Sequence, residues 1–394
     1  MPSNSLVIHR SIFVKSLISR VVLGILCITA GQAASAQAQV APDPADDPPG
    51  ANYASTLVAT GLSHPWSIAF LPDESLLITE RTGKLRRLNE GKLSDPIVGL
   101  PAVYANSQGG LFDVVLHPDY DDNGWVYLSF AYGTPDANAT RLVRARLDDN
   151  QLVDVETVFT AKPFKDTPVH YGARFTFLPD RSLVLGVGDG FDYREHAQAL
   201  DSHLGKFIRI LDDGSIPGDN PFIDNPDVLP EIYSFGHRNQ QGIVYDSEQQ
   251  KLWAHEHGPA GGDEINQLTA GGNFGWPLAT RGRDYSGAAI SPYQELDGTV
   301  APHWNWTPSI APAGMVIVTN NRFAHWKGNL LVAALKSRDV RRIRIDGDSI
   351  KEVETLFSEF GARLRDIREA PDGSLYLLTD HATNGQIIRI EPAQ

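Results

Sequence analysis

The chain has 394 residues, 42% of them hydrophobic, enough for one large all-β domain or two ordinary ones with a full core. With 48 acidic against 34 basic side chains its formal net charge is −14, which argues against nucleic acid as a partner. The single cysteine is Cys27, so disulfides and thiolate metal sites are excluded from everything beyond it.

Residues 1–38 read as a cleavable signal peptide. Arg10, Lys15 and Arg20 give a positive n-region, Val21 to Ala30 an apolar run, and Ala34-Ser35-Ala36 or Ala36-Gln37-Ala38 a cleavage site. The run is short for a bilayer span, so no stable membrane insertion is expected after cleavage. Leu26 before Cys27 is too bulky for a good lipoprotein signal, so no lipidation is expected. Cleavage removes three positive charges and leaves −17. The implied location is periplasmic or secreted. Residues 39–52 are rich in Pro and Asp and read as a solvated linker.

From 53 to 394 no long amphipathic helix is evident. A turn followed by a strand rich in Leu, Val and Tyr recurs at 71–80, 117–131, 178–190, 245–258, 326–336 and 370–380. After the first, fifth and sixth copies a second strand follows (KLRRL, VRRIRI and QIIRI). Six such units predict an all-β fold, a six-bladed β-propeller with four-stranded antiparallel blades. Unequal spacing places insertions in several blades, and the early strand Ser55–Thr60 is expected to pair with the last blade and close the ring. A β-sandwich with similar turns is the alternative. In a propeller, loops distant in sequence converge at one end of the central channel, where they can form one site.

The residues able to carry chemistry are scattered accordingly. Gln108 precedes two glycines, where an amide suits either a ligand contact or a turn hydrogen bond. His170, just before a strand, is a candidate proton acceptor or a packed histidine. Arg238 and Asn239 lie in SFGHRNQQG, where the arginine suits an anion or a structural ion pair. The stretch from His255 to Trp276 sets Glu256, Asp263 and Glu264 among six glycines. Oxygen-rich turns of this kind suit a hard cation such as calcium, although the spacing is not that of an EF-hand. Lys336, Arg363 and Arg365 follow. The two arginines fall on one face of an extended strand and repel unless an anion or carboxylates lie between them. GVGDG (186–190) lacks the spacing and strand–helix context of a nicotinamide site, and no P-loop, HExxH or GxSxG motif is present.

In this order, GHRNQQG, EHGPAGGDEIN, NFGWPLAT, GKFIRILDDGSIPGDNPF, WTPSIAPAGM and RLRDIREAPDGSLYLLTD resemble the soluble pyrroloquinoline-quinone (PQQ) sugar dehydrogenases. The likeness is to the aldose sugar dehydrogenase branch of the glucose/sorbosone dehydrogenase family and runs from about Leu57 to Ile390. It implies a six-bladed propeller with PQQ over the channel mouth. Arg238, Lys336, Arg363 and Arg365 would meet the cofactor's three carboxylates, and Gln108 and Asn239 would hydrogen-bond it. By the same resemblance His170 is the general base in oxidation of an aldose sugar to its lactone, with electrons leaving to an external acceptor. The carbonyls of Gly258 and Pro259 would hold a catalytic calcium. Asp263, Glu264 and the Phe274 carbonyl would hold a structural one. The chain departs from the family pattern at Val169, Ala173 and Gln240, which bears on substrate range and rate, and at Phe274, which matters little if only its carbonyl binds.

Two further readings stay open. A lactonase-type propeller hydrolase needs a channel metal held by carboxylates from several blades and leaves the cations without a role. A non-catalytic sugar- or protein-binding propeller leaves the co-occurrence of base, cations and metal loop unexplained.

Overall fold

The repeated turns owe their shape to local side-chain chemistry. In three of them an aspartate oxygen accepts hydrogen bonds from the serine two residues on: Asp73 from Ser75, Asp180 from Ser182 and Asp372 from Ser374. Each turn joins the first two strands of a sheet. All six recurring segments end in the second strand of a sheet.

The structure, a computed structural model, describes residues 52–393. The signal peptide and all but the last residue of the linker lie outside the described residues. Six four-stranded antiparallel sheets follow one another as blades of a propeller. Their first strands are Pro65–Phe70, Leu111–Leu116, Gly172–Phe177, Gln240–Asp246, Pro312–Ile317 and Leu364–Glu369, and these six meet in sequence around a closed ring. The expected closure is present: Tyr53–Leu62 pairs antiparallel with Gly385–Pro392 as the outer strand of the sixth blade. Among the described residues no helix is long and apolar enough to cross a membrane.

The core is distributed as wedges between neighbouring blades. Blades two and three, for example, share Trp125, Tyr127, Phe175 and Leu183, and blades five and six share Trp326, Val340, Ile367 and Leu375. Each wedge buries the apolar face of one twisted sheet against the next.

One detail of the inner strands decides where the site lies. Every one of the six has a register shift against its neighbour near its first residues, next to Pro65, Leu111, Gly172, Gln240, Pro312 and Leu364. Such bulges re-aim side chains. The third residue of each inner strand is, in order, Ser67, Asp113, Arg174, Gly242, Gly314 and Asp366. Four of these converge on the channel. Arg174 pairs with Asp113 at 3.2 Å and Asp366 at 3.1 Å, and Ser67 donates to Asp113 at 2.7 Å. Arg368 completes the cluster, reaching Asp113 at 2.7 Å and Asp366 at 2.9 Å. Gly314 makes room for it, since a Cβ there would lie 1.7 Å from Asp366 Oδ1. Buried Arg174 and half-buried Arg368 therefore balance two buried aspartates and plug the channel.

Candidate active site

One place before the charged plug, the second residues of the inner strands Trp66, Phe112, Gln241 and Arg365 line a cleft of about 260 Å³. Gln108, Asn239 and Arg363, all expected at the site, line it as well, together with Arg81 and Asp380. Lys336 is exposed and follows Leu335, which lines the cleft. Asp380 lies between the two expected arginines, 3.2 Å from Arg363 and 3.8 Å from Arg365. It also bonds His64 at 2.6 Å. Burial opposes its ionisation, yet Arg365, His64 and Arg363 hold its pKa at about 2. Arg365 is brought down to about 10, first by burial and then by repulsion from Arg174, Arg81 and Arg363. One carboxylate cannot balance this group of cations, which therefore favours an anionic ligand.

His170 is buried directly behind two residues that line this cleft, Gln108 and Tyr171, and does not line it itself. Its backbone N–H donates to the Gln108 side chain at 2.9 Å, so the amide grips the histidine's own backbone. His170 holds φ at 51°, an uncommon conformation for a non-glycine residue and one found at functional sites. Ala173 holds φ at 77°, a position that suits glycine better. The ring Nδ1 lies 2.7 Å from Asp189 Oδ1, and Asp189 Oδ2 accepts from the Trp276 indole at 2.8 Å. A carboxylate at Nδ1 keeps the proton there and leaves Nε2 as the basic nitrogen. Burial pushes the histidine pKa below 6.5 and outweighs the aspartate, so the ring is neutral at neutral pH. Asp189 stays ionised below its usual range, because His170 and Arg238 outweigh its own burial.

Asp189 is the main residue that sequence reading passed over. It sits in GVGDG, whose glycines serve a close approach of two chain segments. A Cβ on Gly188 would lie 2.3 Å from the His170 carbonyl oxygen. The signal available was a glycine-flanked aspartate at the end of a blade's second strand.

Across His170 lies a second cleft, of about 250 Å³, whose lining includes Asp189, Phe191, Arg238, Pro259 and Trp276. Arg238 lines this second cleft and its neighbour Asn239 the first. Asn239 Oδ1 accepts from the Gly172 N–H at 3.3 Å. Arg238 Nη1 donates to the carbonyls of Gly258 at 2.7 Å and His257 at 3.1 Å, and its backbone N–H donates to Glu256.

The acidic loop divides into two parts. Asp263 and Glu264 begin the strand Asp263–Gln267, and successive strand residues face opposite sides. Asp263 accepts from Gly258 N, Ser309 Oγ, Ile310 N and Ala311 N, all within 2.9 Å. It is buried and braces two loops. Glu264 faces a small cavity of about 10 Å³ shared with Glu256, Gly258 and Phe274. Burial and the neighbouring Glu256 raise its pKa to about 8. The expected pair is thus separated: Glu264, Phe274 and Gly258 come together with Glu256, and Asp263 points elsewhere. Among the described residues no cluster of three or more His, Cys, Asp or Glu side chains is placed to hold a metal ion.

Comparison with known proteins fits this arrangement. Residues 62–389 match the family model for glucose/sorbosone dehydrogenases. The aldose sugar dehydrogenase YliI of Escherichia coli is 41% identical over 84% of this chain and 91% of its own length. The crystal structure of the soluble aldose sugar dehydrogenase of Escherichia coli in the apo-form superposes with a TM-score of 0.84 at 39% identity, over 87% of this chain and 100% of that one. The PQQ-bound aldose sugar dehydrogenase of Streptomyces coelicolor gives a TM-score of 0.71 at 29% identity, over 87% of this chain and 99% of that one.

Proposed function

The chain belongs to the glucose/sorbosone dehydrogenase family, and from that premise we propose that it oxidises aldose sugars at the anomeric carbon to lactones, using PQQ and calcium and passing electrons to an external acceptor. The observation that carries this reading is the His170–Asp189 pair, which touches Gln108 of an arginine-lined cleft through the histidine backbone and a second cleft through Asp189.

The donor set of the first cleft fits PQQ, a planar molecule with three carboxylates. Arg363 and Arg365, with Lys336 beside the cleft and Arg238 next in sequence to its lining residue Asn239, would hold those carboxylates, and Gln108 and Asn239 would bond its polar edge. When bound, PQQ supplies the two-electron oxidant. The protein supplies the rest. His170 Nε2 takes the proton of the anomeric hydroxyl as the hydride leaves that carbon. Asp189 holds the ring in the right tautomer and balances the charge it acquires. Gln108 fixes the histidine's backbone.

Calcium fits the chain best at Glu264. Two carboxylates that repel one another beside a small cavity suit a hard cation, with Phe274 and Gly258 on the same wall. The Gly258 carbonyl already receives the Arg238 guanidinium, so a cation held by Gly258 and Pro259 competes with that contact.

Arg363→Ala is expected to raise the PQQ dissociation constant about tenfold to a hundredfold, the worth of one charge-assisted hydrogen bond. Titration of quinone absorbance against protein measures this, and an unchanged constant removes Arg363 from the site.

The pH dependence of kcat/KM follows from the direction of the histidine shift. The neutral ring is the active form and its pKa lies below 6.5, so activity persists as pH drops from neutrality and is lost only as pH falls through that lowered value. An acid limb centred above pH 6.5 contradicts the assignment.

A further inference from the structure

We propose that Lys165, which lines neither cleft, is a positioning residue for the base: its buried ammonium holds the segment carrying His170 against the segment carrying Asp189 and keeps the histidine in its neutral, proton-accepting form. This rests on the reading of His170 as the base and adds to it a residue that no sequence motif marks.

A lysine is rarely buried without a carboxylate partner. Lys165 is 2% exposed, and among the described residues it forms no ion pair. Its ammonium donates to the Asn138 side-chain oxygen at 3.0 Å and to the Thr167 carbonyl, and it lies 3.7 Å from the centre of the Tyr171 ring. An amide, a carbonyl and a ring face solvate the charge, and none of them cancels it.

The groups that Lys165 touches surround the base. Thr167 lies three places before His170, and Tyr171 follows it directly. The lysine stem packs on Gly190, next to Asp189, where a Cβ would lie 2.7 Å from Lys165 Cδ. The Gly190 carbonyl accepts from Thr167 Oγ1 at 2.6 Å. Asn138 accepts from the Tyr171 hydroxyl at 2.7 Å, and its backbone exchanges hydrogen bonds with that of Lys165 at 2.8 and 2.9 Å. One side chain thus fastens both flanks of His170 to the turn after Asp189. Asn138 ties all of them to the second blade through its strand Ala137–Asp148.

An uncancelled charge behind the base opposes a second one on it. Burial brings Lys165 down to about 7, while Asp189 and Asp166 resist that fall. Asp166 is itself bonded to the Tyr193 hydroxyl at 2.8 Å. The lysine is therefore charged over the range below pH 6.5 in which His170 titrates. Beyond burial, which lowers the histidine most, Asp189 favours its proton, and Arg238 and Lys165 oppose it. The Tyr171 phenol is pushed up by burial and stays uncharged. Arg238 acts from the second cleft and Lys165 from the base's own segment.

The test is a pH titration of the His170 Cε1 resonance in the full chain labelled at histidine, the resonance being identified by its absence in His170→Asn. In the wild type two inflections are expected, the histidine's own below pH 6.5 and a smaller one near 7, where Lys165 loses its proton. Lys165→Met keeps the stem and removes the charge, and should raise the histidine midpoint by about one pH unit, or tenfold in proton affinity. Lys165→Arg should keep the midpoint at the wild-type value. A single inflection in the wild type overturns the proposal, and that curve decides alone where a variant does not fold. So does an unchanged midpoint in Lys165→Met, or an arginine variant that shifts as far as the methionine one, which assigns the effect to packing. Dye-linked oxidation by the same preparations, loaded with PQQ and calcium, separates this claim from the reading beneath it. The acid limb of kcat/KM should move up with the resonance in Lys165→Met. Aldose oxidation with a histidine midpoint indifferent to Lys165 sinks the positioning role and keeps the dehydrogenase. A midpoint that follows Lys165 with no aldose oxidised keeps the lysine's hold on the histidine and sinks the dehydrogenase.

Discussion

Replacing His170 by alanine is expected to lower kcat by about 10²- to 10⁴-fold, the usual contribution of a positioned general base, while PQQ still binds. The separation follows from the geometry. The ring bonds Asp189, which lines the second cleft, whereas Arg363 and Arg365 line the first. Only the His170 backbone meets Gln108 on the cofactor side, and substitution leaves that contact intact. His170→Asn provides the control for folding, because asparagine tolerates the left-handed backbone that His170 adopts at φ 51°. Steady-state dye reduction with quinone titration of the same preparations reads both quantities. Normal turnover in either variant removes His170 as the base. A parallel loss of PQQ affinity indicates a structural role instead.

The second large effect concerns stability. Arg174→Ala is expected to cost about 3–5 kcal/mol, because it leaves buried carboxylates without their partner. Asp113 and Asp366 are 1% and 0% exposed, and Arg174 bridges them from a different blade. Arg368 still contacts both, so one guanidinium is left for two carboxylates. The Arg174 guanidinium also donates to the Gln241 carbonyl at 3.1 Å and lies 3.8 Å over the Trp66 ring, and both residues line the first cleft. Loss of Arg174 should therefore loosen the cleft floor along with the channel plug. Urea unfolding of the wild type and Arg174→Ala measures the difference, and a loss below about 1 kcal/mol contradicts this view of the plug.

The blades were legible because their signal is local. A turn, in three copies an Asp-x-Ser turn, and the strand after it are specified within a dozen residues, so six copies announce six sheets. The closing strand was legible for a related reason, as one strand left over before the first repeat. The long excursions between Lys206–Ile210 and Ile232–Phe235, and between Asp263–Gln267 and Trp304–Trp306, have no such periodicity. Their placement depends on tertiary contacts.

The site was readable in part. Gln108, Asn239, Arg363 and Arg365 do line one cleft, and His170 lies behind it with its backbone bonded to Gln108. Asp380 was not foreseen, yet it is the carboxylate that the repelling arginines required. Asp189 carries no local signal beyond its flanking glycines, and only the fold brings it to His170. Asp263 and Glu264 were read together as loop ligands. Once they begin a strand, alternation sends them to opposite faces, and one becomes a brace. Arg174 could not be read at all, since its partners lie 61 and 192 residues away and only ring closure brings them together.

The most direct test of the account is dye reduction by the purified protein with glucose and other aldoses, with and without added PQQ and calcium. The account predicts aldose oxidation that appears only when both are present. No oxidation of any aldose, with no spectral sign of PQQ binding, would contradict it and leave a binding propeller or a lactonase-type hydrolase as the better reading of the same fold.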